Sequence, residues 1–177
     1  MTTATSATGP EAGPTTWAAL SRAAGRSFHV APEMEALREL LVVELAGSGY
    51  AIPVERVREI VRLATITRVP RTPAWLAGVV ALRGEIVEVV DLRRRIGLEG
   101  AARTRSSRIV VIHGEDEGVA GILVDGVRGV LRAREQDVSA TDGRDFRAVV
   151  EMVRAEGGFV GVLDLDRVVG AGDEEHR

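Results

Sequence analysis

Side chains that could do chemistry are few in this sequence and stand far apart. Its histidines are His29, His113 and His176, and it contains no cysteine. Without cysteine the chain offers no thiol nucleophile, no disulfide framework and no thiolate metal site. His113 ends an apolar run just before a glycine, a position typical of a solvated histidine beside a turn. We therefore predict that the protein is not an enzyme and that it holds neither a metal nor a cofactor.

A glycine-rich segment is the nearest approach to a phosphate loop. The sequence GEDEGVAG at 114–121 resembles such a loop only loosely, because it lacks the lysine of a P-loop. It also carries three carboxylates, which would repel a phosphate group. The apolar runs on either side instead predict a hairpin turn at this position.

A cluster of arginines could contact nucleic acid through its phosphate groups. The members are Arg93, Arg94, Arg95, Arg103, Arg105 and Arg108. No aromatic residues, which would stack on bases, interleave with them. The net charge of the chain is -3, whereas nucleic-acid-binding domains are usually strongly basic. We expect a solvated charged face and no nucleic acid, with a small β-barrel nucleic-acid-binding protein as the weaker alternative.

A single arginine interrupts the apolar segment TPAWLAGVVALRGEIVEVVDLR, residues 72–93. Two apolar runs flank Arg83 and Gly84, and Gly84 can supply the positive φ that a tight hairpin turn needs. An arginine presented on a rigid hairpin suits a protein interface, where arginine is enriched among the residues that carry binding energy. A solvated turn residue would look the same in the sequence, so both interpretations stay open.

The elements that must position these residues are predicted to be β-strands. Short Val-rich apolar runs alternate with glycine-rich turns, the pattern of an all-β barrel or sandwich. Aromatic residues make up only 3% of the chain, so its core must be aliphatic. A short helix is expected at 72–78, with Thr72 as N-cap, Pro73 at the first helical position and Gly78 at its end. No apolar run approaches the roughly 18 residues of a membrane span, and we expect no insertion into a membrane.

An internal repeat organises the chain. YAIPVERVREIV at 50–61 matches AGILVDGVRGVL at 120–131 in pattern. VVDLRRRIG at 89–97 matches VLDLDRVVG at 162–170, in the same order along the chain and at nearly the same separation. In the second pair, the aspartate of each copy is placed to cap a short helix.

These matches divide the chain into two similar halves, about 38–98 and 105–170, which we interpret as the subdomains of one domain at 38–170. An N-terminal arm at 1–37 is rich in Thr, Ala, Gly and Pro, and we expect it to be flexible. Residues 171–177 are predicted to form a tail.

The segment 72–93 closely resembles the signature of the CheW family, the coupling proteins of bacterial chemotaxis. The matching residues are Thr72-Pro73, Trp75, Gly78-Val79, Leu82-Arg83-Gly84, Ile86 to Val90 and Asp91-Leu92-Arg93. The resemblance extends outward from this segment and runs from Leu40 to Val169. It implies an all-β fold with short helices, in which two five-stranded SH3-like β-barrel subdomains lie side by side.

The resemblance also implies a non-catalytic adaptor with partners of two kinds. Such an adaptor couples the cytoplasmic tips of methyl-accepting chemoreceptors to the regulatory domain of a CheA-type histidine kinase. Its place is the cytoplasm, at receptor arrays on the inner face of the membrane. By this resemblance Val57, Glu59 and Ile60 look like receptor-facing positions. Arg83 is similar to a family arginine whose identity matters for coupling, and Gly84 looks like a position that shapes its hairpin.

Two further positions of the signature bear on the partner surface. Gly78, like Gly84, looks like a backbone position that shapes the hairpin. Glu88 stands where the family usually has proline, and it places a charge on a face shared with Ile86 and Val90. We expect Glu88 to be exposed or to face an arginine, and proline at this position to be tolerated only on an edge strand. The charge leaves open an accessory protein that binds receptor but not kinase, in a motility or biofilm pathway.

Removal of residues 1–31 should leave the stability of the domain nearly unchanged, because the composition of this arm offers little to a core. We expect the melting temperature to stay within about 5 °C of that of the full chain, which corresponds to about 1–2 kcal/mol for a domain of this size. Thermal melts of the two forms check this prediction. A larger fall would show that the arm packs on the domain.

Overall fold

This computed structural model describes residues 37–114, 118–141, 148–155 and 157–170. Most of these residues lie in β-strands. Apart from Leu37, the predicted arm lies outside these residues, and so does the predicted tail. In chain order the strands are β1 (Leu37–Leu45), β2 (Ser48–Pro53), β3 (Val57–Arg62), β4 (Leu76–Leu82), β5 (Glu85–Asp91), β6 (Arg108–His113), β7 (Val119–Val124), β8 (Gly126–Arg134), β9 (Val138–Ala140), β10 (Val149–Ala155) and β11 (Gly158–Leu163). The short α-helices that follow β5 and β11 are α1 (Leu92–Arg95) and α2 (Leu165–Val169).

The strands form two sheets. The first sheet has six strands in the order β8-β1-β2-β11-β10-β9, and the second has five in the order β3-β6-β7-β5-β4. The pairs β2–β11 and β5–β7 are parallel, and the other neighbours are antiparallel. Because β9 is only a three-residue strand at one edge, each sheet contains a five-stranded unit. The predicted all-β fold with short helices is confirmed, and these units agree with the SH3-like barrels that the resemblance implies.

Apolar side chains are buried on both faces of the inner strands. In β6, Ile109 and Val111 belong to a cluster within the second sheet, whereas Val110 and Ile112 belong to a central cluster shared by both sheets. The central cluster comprises the buried residues Leu41, Val43, Leu45, Ile52, Val90, Leu92, Val110, Ile112, Ile122, Val124, Ala148, Val149, Leu163, Leu165 and Val168. A third cluster, which includes Leu40, fills the first sheet. Burial on both faces explains why these strands read as continuous apolar runs and not as alternating patterns.

The repeat found in the sequence is also a repeat of structure. If β1, β2, β3, β4 and β5 of the first half are matched to β6, β7, β8, β10 and β11 of the second, the two five-stranded units have the same strand order. The halves 38–98 and 105–170 are nevertheless not separate subdomains. Each half contributes strands to both sheets, because β1 and β2 pair with second-half strands and β6 and β7 pair with first-half strands. The halves are repeating units that exchange strands.

Two short connections carry out this exchange. A 3-10 helix, Val54–Arg56, leads from β2 in the first sheet to β3 in the second. Asp125 alone separates β7 in the second sheet from β8 in the first. The exchanged pairings are remote in sequence, as in the register Leu40↔Leu131 between β1 and β8. Local sequence carries no signal for a pairing of this kind, so the division into subdomains could not be deduced from the repeat.

The helix predicted at 72–78 is absent, because β4 already begins at Leu76. A single turn precedes the strand, and in it the Leu76 N–H donates to the Pro73 carbonyl at 3.0 Å. The Thr72 hydroxyl donates to the carbonyl of Val69 at 2.9 Å and so caps no helix. Pairing of β4 with β5 outweighed the local helix signals.

Gly78 holds the connection before β4 against that strand. Its φ is 133°, a conformation that side chains disfavour, and an added Cβ would lie 2.2 Å from the Thr67 carbonyl oxygen. The Thr67 N–H donates to the Val79 carbonyl and the Val79 N–H donates to the Thr67 carbonyl, both at 2.8 Å. The close approach of Thr67 therefore requires a residue without a side chain at position 78.

The two helices begin as the repeat predicts. The carboxylate of Asp91 accepts the N–H of Arg94 at 3.3 Å at the start of α1. The carboxylate of Asp164 accepts the N–H groups of Asp166 and Arg167 at 3.2 and 3.1 Å at the start of α2. Both caps satisfy backbone donors that a short helix leaves unpaired.

Substitution of Gly78 by alanine should destabilise the domain much more than the same change at Gly84. We expect Gly78→Ala to lower the free energy of unfolding by about 3 kcal/mol or more, because overpacking and a strained φ each cost roughly 1–3 kcal/mol. Gly84→Ala is the matched control, since its φ is 88° but nothing lies within 4 Å of the added Cβ. Only the backbone cost of about 1–2 kcal/mol applies there. Equal losses in urea unfolding would contradict the close approach at Thr67.

Candidate partner-binding site

Arg83 lies at the tip of a tight hairpin, as predicted. Leu82 pairs with Glu85, which leaves Arg83 and Gly84 as a two-residue loop between β4 and β5. Their φ values are 49° and 88°, and positive φ at both positions is the geometry of a type I′ turn. The side chain of Arg83 is 79% exposed. The hairpin therefore presents this guanidinium to solvent from a well-defined backbone.

An ion pair holds Arg83 against β3. Its Nη2 lies 3.1 Å from Oε2 of Glu59, whose side chain is only 21% exposed. A second pair joins Nη1 of Arg58 to Oε2 of Glu85 at 2.8 Å. The β3–β6 ladder shifts register between Val57 and Glu59, and both Arg58 and Glu59 reach the hairpin. Surface ion pairs contribute only about 0–1 kcal/mol, so their effect is to orient the tip more than to stabilise the domain.

Exposed apolar residues adjoin these ion pairs in the chain. Ile60 is 42% exposed and Ile86 is 77% exposed. Val57, in contrast, is partly buried against the central cluster. We call Arg58, Glu59, Ile60, Arg83, Glu85 and Ile86 the tip surface. Sequence reasoning missed Ile86 as a candidate, although its place two residues before Glu88 in an alternating strand was a usable signal.

The remaining predicted site residues have different surroundings. Gly78 is buried in β4, where the absence of a side chain accommodates the Thr67 carbonyl. Glu88 is exposed, as predicted. Proline at position 88 was expected to be tolerated only if this strand were at a sheet edge. The strand β5 is instead an inner strand, in which Glu88 pairs with Val79 of β4 and with Ala120 of β7. Val90 does not share the exposed face, since it is buried in the central cluster.

The strand repeat gives the first sheet a related surface. In the first sequence match, 50–61 with 120–131, Ile60 corresponds to Val130, which is 57% exposed. When the second match is extended back along its strands, Ile86 corresponds to Phe159, which is 61% exposed. The guanidinium of Arg154 lies 5.8 Å from the ring centre of Phe159. Each sheet therefore carries exposed apolar residues at matching positions, which the sequence repeat could have identified.

Most of the arginine cluster is engaged within the fold. Nε of Arg93 donates to Oδ1 of Asp125 at 2.7 Å, and its Nη2 forms a further short contact with the same carboxylate. Arg95 donates to the carbonyls of Arg167, Val168 and Gly170 at 2.7–2.9 Å. Its guanidinium also lies 4.4 Å from the ring centre of a tryptophan, Trp75. Arg93 and Arg95 thus tie connections together and are not part of a solvated face, whereas Arg94, Arg103 and Arg105 are exposed as predicted.

Two of the loop predictions hold in the described residues. His113 is exposed at the end of β6, and its carbonyl accepts the Nε–H of Arg56 at 3.0 Å. Residues 115–117 of the turn predicted at 114–121 lie outside the described residues. On either side of them β6 pairs antiparallel with β7, and the Gly114 N–H donates to the Gly118 carbonyl at 2.8 Å.

Asp125 joins the two sheets electrostatically at one of the strand exchanges. Besides Arg93, it accepts the N–H of Ala46 in the β1–β2 turn at 2.8 Å. Burial acts to raise the pKa of Asp125, but the hydrogen bonds from Arg93 and Ala46 outweigh it and hold that pKa below its usual value. The carboxylate therefore stabilises the fold when ionised.

Asp125→Asn should lower the free energy of unfolding at neutral pH by about 1–3 kcal/mol, the range for a partly buried charged hydrogen bond. Because the folded pKa is depressed, this stabilisation is complete above the unfolded value near about pH 4 and is lost as the pH falls through the folded value. Urea unfolding from pH 7 to about pH 3 should therefore show the two proteins converging in stability in acid.

Glu39→Gln is the control for this comparison, because Glu39 forms an exposed ion pair with Arg132 and should matter by less than about 1 kcal/mol at any pH. A difference between parent and Asp125→Asn that stays constant across the pH range would contradict the ionised role of Asp125.

Neither a metal site nor a membrane span is found in the ranges that the structure describes. No three His, Asp or Glu side chains there lie close enough to hold a metal ion. No helix in the same ranges has the length and apolar character needed to cross a bilayer. What the described residues do offer is an ion-paired hairpin tip and exposed apolar residues on a rigid pair of sheets, the features of a protein-interaction module.

The chain belongs to the CheW-like family. The family's sequence model, described as CheW-like domain, matches residues 39–172. The chain is 31% identical to the chemotaxis protein CheW of Rhizobium meliloti over 142 residues, 78% of this chain and 91% of that protein. It is 31% identical to the chemotaxis protein CheW of Bacillus subtilis over 141 residues, 77% of this chain and 90% of that protein.

A solved structure shares the fold. The scaffolding protein TtCheW from Thermoanaerobacter tengcongensis matches with a TM-score of 0.72 at 25% sequence identity, over 79% of this chain and 98% of that one. The fold in which the two sequence halves exchange strands is therefore also the fold of a solved scaffolding protein.

Proposed function

We propose that this protein is a non-enzymatic adaptor that couples chemoreceptors to a CheA-type histidine kinase in a bacterial chemosensory array. Membership of the CheW-like family over residues 39–172 supports this function, as do relatives named chemotaxis protein CheW. The observation that carries the proposal is the ion pair of Arg83 with Glu59, which presents the arginine of the family signature on a rigid hairpin.

An adaptor must hold two partners at once, and the strand repeat supports this requirement. Ile60 and Ile86 in the second sheet have exposed counterparts in Val130 and Phe159 of the first. Two related surfaces on one rigid body can bind two different proteins without a change of shape. The exposed apolar residues would supply the buried centre of each contact, and the charged groups around them would select the partner.

The partners are proposed by kind. Val57, Glu59 and Ile60 would face the cytoplasmic tip of a methyl-accepting chemoreceptor. Arg83, which is ion-paired to Glu59, would be needed for coupling that receptor to the kinase regulatory domain. Glu88, exposed on β5, would lie on the wet margin of such a contact. The protein would then work in the cytoplasm, at receptor arrays on the inner face of the membrane.

Neither alternative function is favoured. An accessory protein that binds receptor but not kinase would need the tip surface to be altered, yet Arg83 and Gly84 of the family signature are in place and form the expected turn. A nucleic-acid-binding function would need aromatic residues for base stacking, and none interleave with the arginine cluster; two members of that cluster, Arg93 and Arg95, are also engaged by Asp125 and by backbone carbonyls.

Charge reversal at Arg83 should abolish coupling without unfolding the protein. We expect Arg83→Glu to weaken binding of at least one of the two partners by about 30-fold or more, which corresponds to about 2 kcal/mol. The melting temperature should hardly move, because exposed substitutions usually change stability by less than about 0.5 kcal/mol. Titration against the kinase regulatory domain and against a receptor tip fragment, together with a thermal melt, measures both effects.

Two further variants show how Arg83 acts. Arg103→Glu reverses an exposed charge beyond α1, at the other end of β5 from the tip surface, and should leave both affinities unchanged. The double exchange of Glu59→Arg with Arg83→Glu restores an ion pair but presents the opposite charge, and we expect it to remain defective. Unchanged affinity of Arg83→Glu for both partners would reduce Arg83 to a solvated turn residue.

A further inference from the structure

A pocket of about 460 Å³ lies between the connection that leads into β4, the start of α1 and the segment after it. Its lining includes four arginines and a single carboxylate, namely Arg68, Arg71, Arg94, Arg103 and Asp91. We call it the arginine pocket. Its volume falls within the range of small-molecule sites, roughly 300–1,000 Å³.

Three of the four arginines in this pocket have no counter-charge. Arg68, Arg71 and Arg103 are exposed, and none of them forms an ion pair or a side-chain hydrogen bond with any residue in the described ranges. Arg94 is engaged, because its Nε lies 3.5 Å from Oδ2 of Asp91 and its Nη1 donates to the Ala74 carbonyl at 3.2 Å. The single carboxylate of the pocket is thus neutralised, and three guanidinium groups remain to bind an anion.

Positive charge continues beyond the pocket. A neighbouring hollow of about 740 Å³ shares Arg103 and is also lined by Arg62, Arg105 and Arg108. The chain as a whole carries a net charge of -3, so this concentration of arginines departs from the balance of the molecule. Such a field attracts polyanions to the pocket from a distance.

The connection that carries Arg68 and Arg71 is fixed before any ligand binds. Arg71 has a φ of 62°, a left-handed conformation that is unusual for a residue with a side chain. Pro70 and Pro73 restrict the backbone on either side. The hydrogen bonds between Thr67 and Val79 tie the connection to β4. Rigid placement of the guanidinium groups lowers the entropy lost on binding.

We propose that the arginine pocket binds a nucleoside di- or triphosphate. Guanidinium groups bind phosphate oxygens through paired hydrogen bonds, and three of them match the charge of a polyphosphate. The connection that carries Arg68 and Arg71 also contributes apolar groups to the lining, namely Val69, which is 39% exposed, with Pro70 and Pro73. A base or ribose can pack on these groups while the phosphates contact the arginines.

The pocket is separate from the tip surface. It lies at the Leu76 end of β4, whereas Arg83 follows the other end of the same strand. Five residues of strand separate Ala77 of the pocket from Arg83, about 20 Å at the usual rise per residue. Nucleotide binding and partner binding therefore use different residues, and either proposal can fail without the other.

Calorimetric titration of the full chain with ATP, pyrophosphate and adenosine tests the proposal. We expect saturable binding of ATP, weaker binding of pyrophosphate, none of adenosine, and a fall in affinity as salt is raised. Arg68→Gln, Arg71→Gln and Arg103→Gln should each weaken ATP binding by about tenfold or more, the usual effect of losing a hydrogen bond to a charged group. Arg132→Gln removes the same charge in the first sheet and should have no effect.

Thermal melts of each variant show that the fold is intact, since all three arginines are exposed. Three results would overturn the proposal. These are the absence of saturable binding of ATP and pyrophosphate, an equal loss of ATP binding in Arg132→Gln, and tighter binding of a polyglutamate peptide than of ATP. The last result would assign the pocket to an acidic protein segment.

Discussion

Burial of aliphatic side chains between the two sheets holds the whole domain together. The strands β1, β6 and β7 carry apolar residues on both faces, so each has one row within its own sheet and another in the central cluster. Leu92 of α1 and Leu165 of α2 close the same cluster. Because this shared core joins both sheets, the two cannot separate without exposing it, and the pair behaves as one rigid support.

Strand exchange ties this core to the proposed function. Each sequence half supplies strands to both sheets, so neither sheet can form from one half alone. Asp125 stands at one crossing and links α1 to the β1–β2 turn through Arg93 and Ala46. A rigid body with matching exposed residues on its two sheets suits an adaptor, which must keep two partners in a fixed relation and gains nothing from internal motion.

The arginines of the chain divide into groups with different physical roles. Arg93 and Arg95 satisfy a carboxylate and backbone carbonyls, and they are part of the structure itself. Arg83 is exposed and ion-paired, which orients it without hiding it from a partner. Arg68 and Arg71 line a pocket without a counter-charge in the described ranges. All of these residues are arginines, so residue type cannot distinguish the groups. Their roles differ because the fold brings different carboxylates and carbonyls near each guanidinium.

Local features could be predicted from the amino-acid sequence: the all-β class from its Val-rich runs, the Arg83-Gly84 turn, the helix cap at Asp91 and the strand repeat. These depend on neighbours in the chain, where turn chemistry and side-chain pattern are readable. The folded chain alone shows which strands pair, that 72–75 form a turn leading into β4, that Gly78 accommodates the Thr67 carbonyl, and that Glu59 is the partner of Arg83. Each of these is a contact between segments remote in sequence, and its energy comes from burial and pairing that no local pattern records.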